Sequence, residues 1–321
     1  MDMKSTGVVP KRKPAHWMFH PESATSGRRP LPALNVRRFP QSPIITPDMD
    51  GRMGNNINGP SLIRVPEWVS NPMGRYYLYF AHHEGTFIRL AYANQLEGPW
   101  NIHSPGVLDV CRAFFNSHIA SPDVHVCHDT REIRMYYHGC CLPEPPHQFT
   151  RLAVSSDGIS FTALPEILGT SYWRAFKFRG YWHTLEMPGT FRRSACGTQA
   201  FEKGPRLFSP TMRHSAVHLS EDILTVFYSE AGDSPERILW ATIDLIPDWS
   251  RWQIVKKGTL LAPAMEYEGA DCPVVPSRRG SVHQRVRQLR DPCVFEENER
   301  LYLLYSVAGE SGIAIAELEK I

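Results

Sequence analysis

The sequence predicts an all-β fold, a five-bladed β-propeller whose ring is closed by an N-terminal strand. Three observations lead there. Short apolar segments bounded by turn residues succeed one another at a spacing of roughly 8–12 residues, the signature of strands rather than helices. They fall into units of constant order: a strand, an aromatic strand, a strand containing Ala or Ser, and a short strand with Trp or Phe. That unit returns about five times, and the last copy stops before its fourth strand. A repeated four-stranded unit means a propeller, because a single unit cannot bury both of its faces. A β-sandwich with irregular loops would supply strands, but not this recurring order.

Order is expected to begin over residues 34–46, where Val36, Phe39, Ile44 and Ile45 are apolar, followed by a loop rich in Gly, Asn and Asp over 48–58. The first unit takes residues 61–65, then the aromatic run 75–81 ending in His82-His83-Glu84-Gly85, then 87–93 and a short strand at Trp100. The second takes 123–127, a polar turn, 133–137 ending in His138-Gly139, then 150–155 and 161–164. The third spans 173–178, 180–185, 190–195 and 201–208, and the fourth 215–219, 223–229, 237–243 and 252–255. The fifth has only 292–296, 300–307 and 312–317. The aromatic strands register on Tyr79, Tyr137, Trp182, Tyr228 and Tyr305, with the widest gap last, so the largest insertion is expected over 261–288. Residues 39–45 are expected to supply the missing strand, which closes the ring and removes an exposed edge. Residues 1–30, polar and basic with several prolines, read as a flexible N-terminal arm, and residues 31–321 as a single propeller domain.

Composition agrees with a packed core: 42% of the 321 residues are hydrophobic and 21% charged. The high aromatic content (11%) and 27 prolines favour short strands with many turns. A formal net charge of +2 does not suggest a nucleic-acid surface. The seven cysteines include no C-x-x-C pair, so neither a zinc ribbon nor a disulfide framework is signalled. The first thirty residues lack the apolar stretch of a secretory signal, and no apolar run is long enough for a membrane span, so a soluble, cytoplasmic protein with reduced thiols is expected.

Gly59-Pro-Ser-Leu-Ile-Arg-Val with Tyr76-Tyr-Leu-Tyr-Phe, Arg89-Leu-Ala-Tyr-Ala with Leu96-Glu-Gly-Pro-Trp, Ser121-Pro-Asp-Val, and Arg290-Asp-Pro with Leu301-Tyr-Leu-Leu-Tyr-Ser together resemble the five-bladed propeller glycosidases, the family 43 glycoside hydrolases and their relatives. The resemblance runs from about Phe39 to the C-terminal residues. It implies an axial funnel where the innermost strand of each blade begins and to which the loop after each second strand returns. Two sets of residues would then converge. One is Asn58, His118, Asp123, Arg213, His214, Arg290 and Asp291; the other is His82, His83, Glu84, His138, Glu186, Glu230 and Asp233. The sequence departs from the family pattern where a base Asp would precede the first-blade Pro, here Gly59, and where an acidic Glu would open the third blade, here Ser171-Tyr-Trp-Arg. The second-blade carboxylate is matched by Asp123, which in the family tunes the acid.

The candidate chemistry follows from these positions. Asp123, Asp291, Glu186 and Glu268 are the candidate catalytic carboxyl groups, since glycoside hydrolysis usually needs two flanking the scissile bond. Asp291 beside Arg290 suits base or orienting work, and a semi-buried Glu186 suits the acid. Asn58, His82, His83, His118, His138, Trp173, Arg213, His214 and Arg290 are the candidate substrate-binding residues, the histidines and Asn58 for sugar hydroxyls, Trp173 (with Tyr172) for stacking, and the arginines for an acidic sugar or phosphate. No cofactor is expected. The clustered histidines leave a metal-assisted enzyme open, although no metal-ligand spacing is present. An oligosaccharide is the expected partner, with neither nucleic acid nor membrane. A non-catalytic carbohydrate-binding propeller and a phosphorylase on the same fold stay open beside the hydrolase.

Overall fold

The computed structural model describes residues 33–141 and 147–320, so the arm expected over 1–30 lies outside the described residues. Strand β1 (Leu34–Arg38) comes first among the described residues but last in the ring. Blade 1 is β2 (Asn58–Arg64), β3 (Tyr76–Ala81), β4 (Phe87–Ala93) and β5 (Asn101–Asp109). Blade 2 is β6 (His118–Cys127), β7 (Glu132–Cys140) and β8 (Phe149–Ser155), edged by the two-residue pieces β9 (Thr162–Ala163) and β10 (Gly169–Thr170). Blade 3 holds β11 (Trp173–Phe178), β12 (Tyr181–Glu186), β13 (Thr190–Ser194) and β14 (Glu202–Arg206); blade 4 holds β15 (Met212–Ser220), β16 (Ile223–Glu230), β17 (Ile238–Asp244) and β18 (Ile254–Leu261). Blade 5 is β19 (Arg290–Glu297), β20 (Arg300–Ser306) and β21 (Ile313–Lys320), with β1 antiparallel to β21 as its outermost strand. The fold is the five-bladed propeller that the repeat predicts.

The period-two alternation of the second strands builds the ring. In β3 all six residues are buried. Tyr77 and Tyr79 face blade 2, packing with Ile119 and Tyr137, while Tyr76, Leu78 and Phe80 face blade 5, packing with Leu304 and Ile315. Further cores join blades 2 and 3 around Tyr136, Trp173 and Trp182, blades 3 and 4 around Phe191 and Tyr228, and blades 4 and 5 around Phe227 and Tyr305. Each neighbouring pair therefore shares its own core. Tyrosine hydroxyls at these seams still find partners, as Tyr79 does on the Gly158 carbonyl at 2.8 Å and Tyr136 on the Gly197 carbonyl at 2.6 Å.

Ring closure differs in register from the expectation. The closing strand is Leu34–Arg38, pairing Leu34 with Lys320 and Arg38 with Ala316, rather than residues 39–45. Its charged residues obscured it, because outermost positions face solvent and alternate half-buried with exposed. Residues 39–45 continue along the same edge, with Phe39 N–H donating to the Ile315 carbonyl and Ile44 N–H to that of Ile313. The insertion between Leu261 and Arg290 has only a single 3-10 turn, Glu266–Glu268, and returns toward the axis.

Candidate active site at the axial entrance

Three innermost strands open with the same local device. Gly59-Pro60, Ser121-Pro122 and Asp291-Pro292 each place a left-handed residue before a proline, with φ of 61°, 45° and 48°. At each the strand register breaks, between Asn58 and Ser61, Ala120 and Asp123, and Arg290 and Cys293. Gly59 fits its position for a second reason: a Cβ there would lie 2.9 Å from the Ser121 Cα, so blades 1 and 2 meet backbone to backbone. The only one of the three that is a carboxylate is Asp291.

Asp291 sits in a buried charge network. Arg290 donates to Glu310 Oε1 at 3.0 Å and to Gln288 Oε1 at 2.6 Å, and pairs with Glu236 at 3.1 Å. Arg213 pairs with the same Glu236 at 3.5 Å. Glu310 also takes Asn56 Nδ2 at 2.5 Å and His83 Nδ1 at 3.2 Å. Near the axis three buried guanidinium groups, Arg174, Arg213 and Arg290, face four buried carboxyl groups, Asp123, Glu236, Asp291 and Glu310. One carboxyl group is in excess, and the surplus falls on Asp291. Burial, then the negative Glu310, pushes its pKa up to about 7, with Arg213, His83 and Arg290 opposing. Glu310 moves the other way: burial raises it, but His83, Arg290 and Asn56 outweigh that and hold it down at about 2. Two coupled carboxyl groups are thus driven apart, one ionised and one able to carry a proton near neutrality.

Four buried side chains from four blades bring unfilled polar atoms to this entrance: Asn58 Oδ1, His138 Nδ1, His214 Nδ1 and Asp291 Oδ2. His214 Nδ1 lies 3.3 Å from Asp291 Oδ1 without hydrogen-bond alignment. The Tyr172 ring lies between the two histidines, 5.1 Å from His214 and 6.1 Å from His138. Burial holds both imidazoles well below the usual histidine range, helped by Arg213 and Arg290 at His214 and by His118 and His83 at His138. They are therefore neutral, each with one nitrogen to accept and one to donate.

The sequence-predicted residues divide. Asn58, His83, His138, Arg213, His214, Arg290 and Asp291 come together at the entrance. His82 and His118 stand at its rim, His82 against His283 at 6.0 Å and His118 with ring nitrogens engaged by Cys140 and Gln148. Asp123 lies deeper. It follows the register break, level with Ser61 and Cys293, and faces the central shaft. There it bonds His125 Nε2 and Ala175 N–H, both at 2.7 Å, and faces Arg174 at 3.5 Å. Burial pushes its carboxyl up, but His125, Arg174 and the amide outweigh that and hold it below the usual range. Arg174 itself spans the shaft, donating to the carbonyls of Pro60, Pro122 and Ser215. Beyond this pair a cavity of about 340 Å³ continues along the innermost strands toward the opposite face, lined by His125, His128, Arg64 and Glu296.

Three expected site residues are placed elsewhere. Trp173 is buried between blades 2 and 3 against Tyr136 and Phe201, at 5.6 and 4.7 Å, so its ring presents no face for stacking on a sugar. Glu186 gathers the Arg192 guanidinium, the Thr170 amide and the Trp173 indole on one oxygen, at 2.8, 3.1 and 3.3 Å. Glu268 is fully buried between Arg38, Tyr305 and the amides of Ala264 and Met265, fastening the insertion to the closing strand. The residues that the sequence reading missed are Glu236, Glu310, Asn56 and Arg174. Glu310 was findable, since Ala308-Gly-Glu310 follows an aromatic second strand as His82-His83 and His138 do. Among the described residues no group of three or more His, Cys, Asp or Glu is placed to hold a metal ion.

No protein-family model matches the chain. Solved propellers resemble it at fold level. A putative glycoside hydrolase from Parabacteroides distasonis matches with a TM-score of 0.63 at 13% identity, covering 88% of this chain and 96% of that one. A GH43 β-xylosidase/α-arabinofuranosidase from a compost microbial metagenome, in complex with xylotriose, matches with a TM-score of 0.58 at 13% identity, covering 89% and 98%. At such identities the likeness is one of fold. The uncharacterized protein R118 of Acanthamoeba polyphaga mimivirus is 35% identical over 330 residues, spanning 89% of this chain and 91% of that protein. The chain therefore belongs to the same family as mimivirus R118, and its own fold resembles the five-bladed propeller of the GH43 glycoside hydrolases.

Proposed function

We propose that the axial entrance binds a saccharide and cleaves a glycosidic bond, with Asp291 as the group that carries the proton. The observation behind this is the set of unfilled buried polar atoms on Asn58, His138, His214 and Asp291. A buried donor or acceptor without a partner costs about 1–3 kcal/mol, so such a set calls for a ligand bearing several hydroxyl groups. Glycosidic cleavage needs a carboxyl group protonated near neutral pH beside others that stay ionised. Asp291, pushed up to about 7, meets the first condition, and Glu310 meets the second while keeping Asp291 protonated. The proton-carrying carboxyl group thus stands before the proline of blade 5, whereas the family 43 pattern has its base before the proline of blade 1.

The test is a screen of oligosaccharides for reducing-sugar release, with Asp291→Asn measured on any substrate found. Turnover is expected to fall at least about 100-fold, a typical acid–base contribution, while the saccharide still binds. Full activity in Asp291→Asn would remove the assignment. A second reading, a non-catalytic carbohydrate-binding propeller, draws on the commitment of Glu186 and Glu268 to structural contacts. Binding without turnover on any bound glycan decides for it. No described helix is long and apolar enough to cross a membrane.

A further inference from the structure

The insertion carries a strap across the axial entrance. Its residues 277–283 are pinned successively by several blades. Ser277 exchanges backbone hydrogen bonds with Gly232 and Asp233 of blade 4. Arg213 and Arg290 donate to the carbonyls of Arg278 and Gly280, at 2.8 and 3.3 Å. Val282 N–H bonds Glu310 of blade 5 at 3.2 Å, and Ser281 bonds Glu84 of blade 1 at 2.9 Å. The strap is thus tied to Arg213, Arg290 and Glu310.

Its charge is one-sided. From Cys272 to Leu289 the chain has Arg278, Arg279, Arg285 and Arg287 and no Asp or Glu. Arg285 pairs with Asp271 at 2.9 Å. Arg278 and Arg279 are exposed and have no carboxylate partner among the described residues. Arg279 reaches only the Pro210 carbonyl and the Met187 sulfur. The deeper arginines are different: Arg213 and Arg290 are already matched by Glu236 and Glu310, and Arg192 by Glu186. Uncommitted positive charge at the mouth therefore sits on the strap and not on the floor. Guanidinium groups without an anion are receptors for carboxylate or sulfate, which they bind in a bidentate fork.

We propose that the saccharide taken here carries an anionic group, a uronate carboxylate or a sulfate ester, recognised by Arg278 and Arg279. This rests on the saccharide reading above and narrows it to acidic glycans. The experiment uses the full chain on an array of neutral, uronate-bearing and sulfated oligosaccharides, followed by Kd measurement on the strongest ligands in low and high salt. Uronate or sulfated glycans are expected to bind, with the two arms distinguishing the anion. Affinity should fall at least tenfold in Arg278→Gln/Arg279→Gln at unchanged melting temperature, and recover in part in the double lysine variant. Binding confined to neutral glycans, or acidic binding untouched by the double glutamine variant, overturns this proposal and leaves the saccharide site standing. Failure of every glycan class to bind overturns both.

Discussion

Asp291 offers a measurement that needs no substrate. Its carboxyl is fully buried and its pKa stands at about 7 against 3.8 for a free aspartate. A native pKa above the unfolded value means that the folded protein holds the proton more tightly. Stability from this group is then fully present below about pH 4, and is lost as pH rises toward 7. Each pH unit is about 1.4 kcal/mol, so ionising Asp291 in place costs about 4 kcal/mol above neutrality. Asp291→Asn keeps the shape of the protonated side chain and cannot ionise. Urea unfolding of both proteins from about pH 5 to about pH 8.5 checks this. The variant should exceed the parent by about 1.6 kcal/mol at the acid end, where the unfolded aspartate is already ionised, and by about 4 kcal/mol at the alkaline end. A stability difference that does not change with pH would refute the reasoning, because it would mean that Asp291 titrates as an ordinary carboxylate.

Four further outcomes follow from the buried charged groups. Glu310, held at about 2 against 4.5, contributes about 3 kcal/mol that is present above pH 4.5 and lost as pH falls toward 2; Glu310→Gln should lose that amount near neutrality, with the gap closing in acid unfolding curves. The same variant removes the charge that opposes Asp291 ionisation, so the alkaline limb of any activity profile should move to lower pH. Arg174→Met strands Asp123 and three carbonyls in the shaft and should cost about 3–5 kcal/mol in denaturant midpoints, partly recovered by Asp123→Asn in the same chain. Glu268→Ala unties Arg38, Tyr305 and the insertion at once and should cost a similar about 3–5 kcal/mol, read by thermal and urea unfolding.

The ring was legible in the sequence because its cores obey a simple period. An unbroken apolar run such as Tyr76-Tyr-Leu-Tyr-Phe-Ala marks a strand buried on both faces, and repetition of that run counts the blades. The closing strand was harder, since Leu34-Asn-Val-Arg-Arg has solvent on one side and looks like any polar segment. In the site, the residues next to strand beginnings were found: Asn58, Arg213, His214, Arg290 and Asp291. Asp123 was placed one layer too high, because a left-handed Ser121 followed by Pro122 breaks the register and no alternation rule registers a bulge. Glu236 and Glu310 escaped because loop residues have no period, and their importance lies in which arginines they face across the axis. Trp173 drew attention as a large ring at a strand beginning, but the same apolar area is what the seam between blades 2 and 3 buries.

The placement of β1 sets an order on biosynthesis. Its side chains Asn35 and Arg37 meet Glu319 and Glu317, partners that lie 284 and 280 positions later in the chain. A ribosome delivers that strand early and its partner about 280 residues afterward, so four blades can assemble while the edge of the ring stays unpaired. Closure is a long-range step with a large loop entropy, and it comes last. Until then the nascent protein presents an open strand edge on β21 or on its neighbours, the species most prone to pair with another copy. A circular permutant that joins β21 directly to β1 by a short linker would convert that step into a local hairpin, and should refold faster and with less aggregation than the natural order.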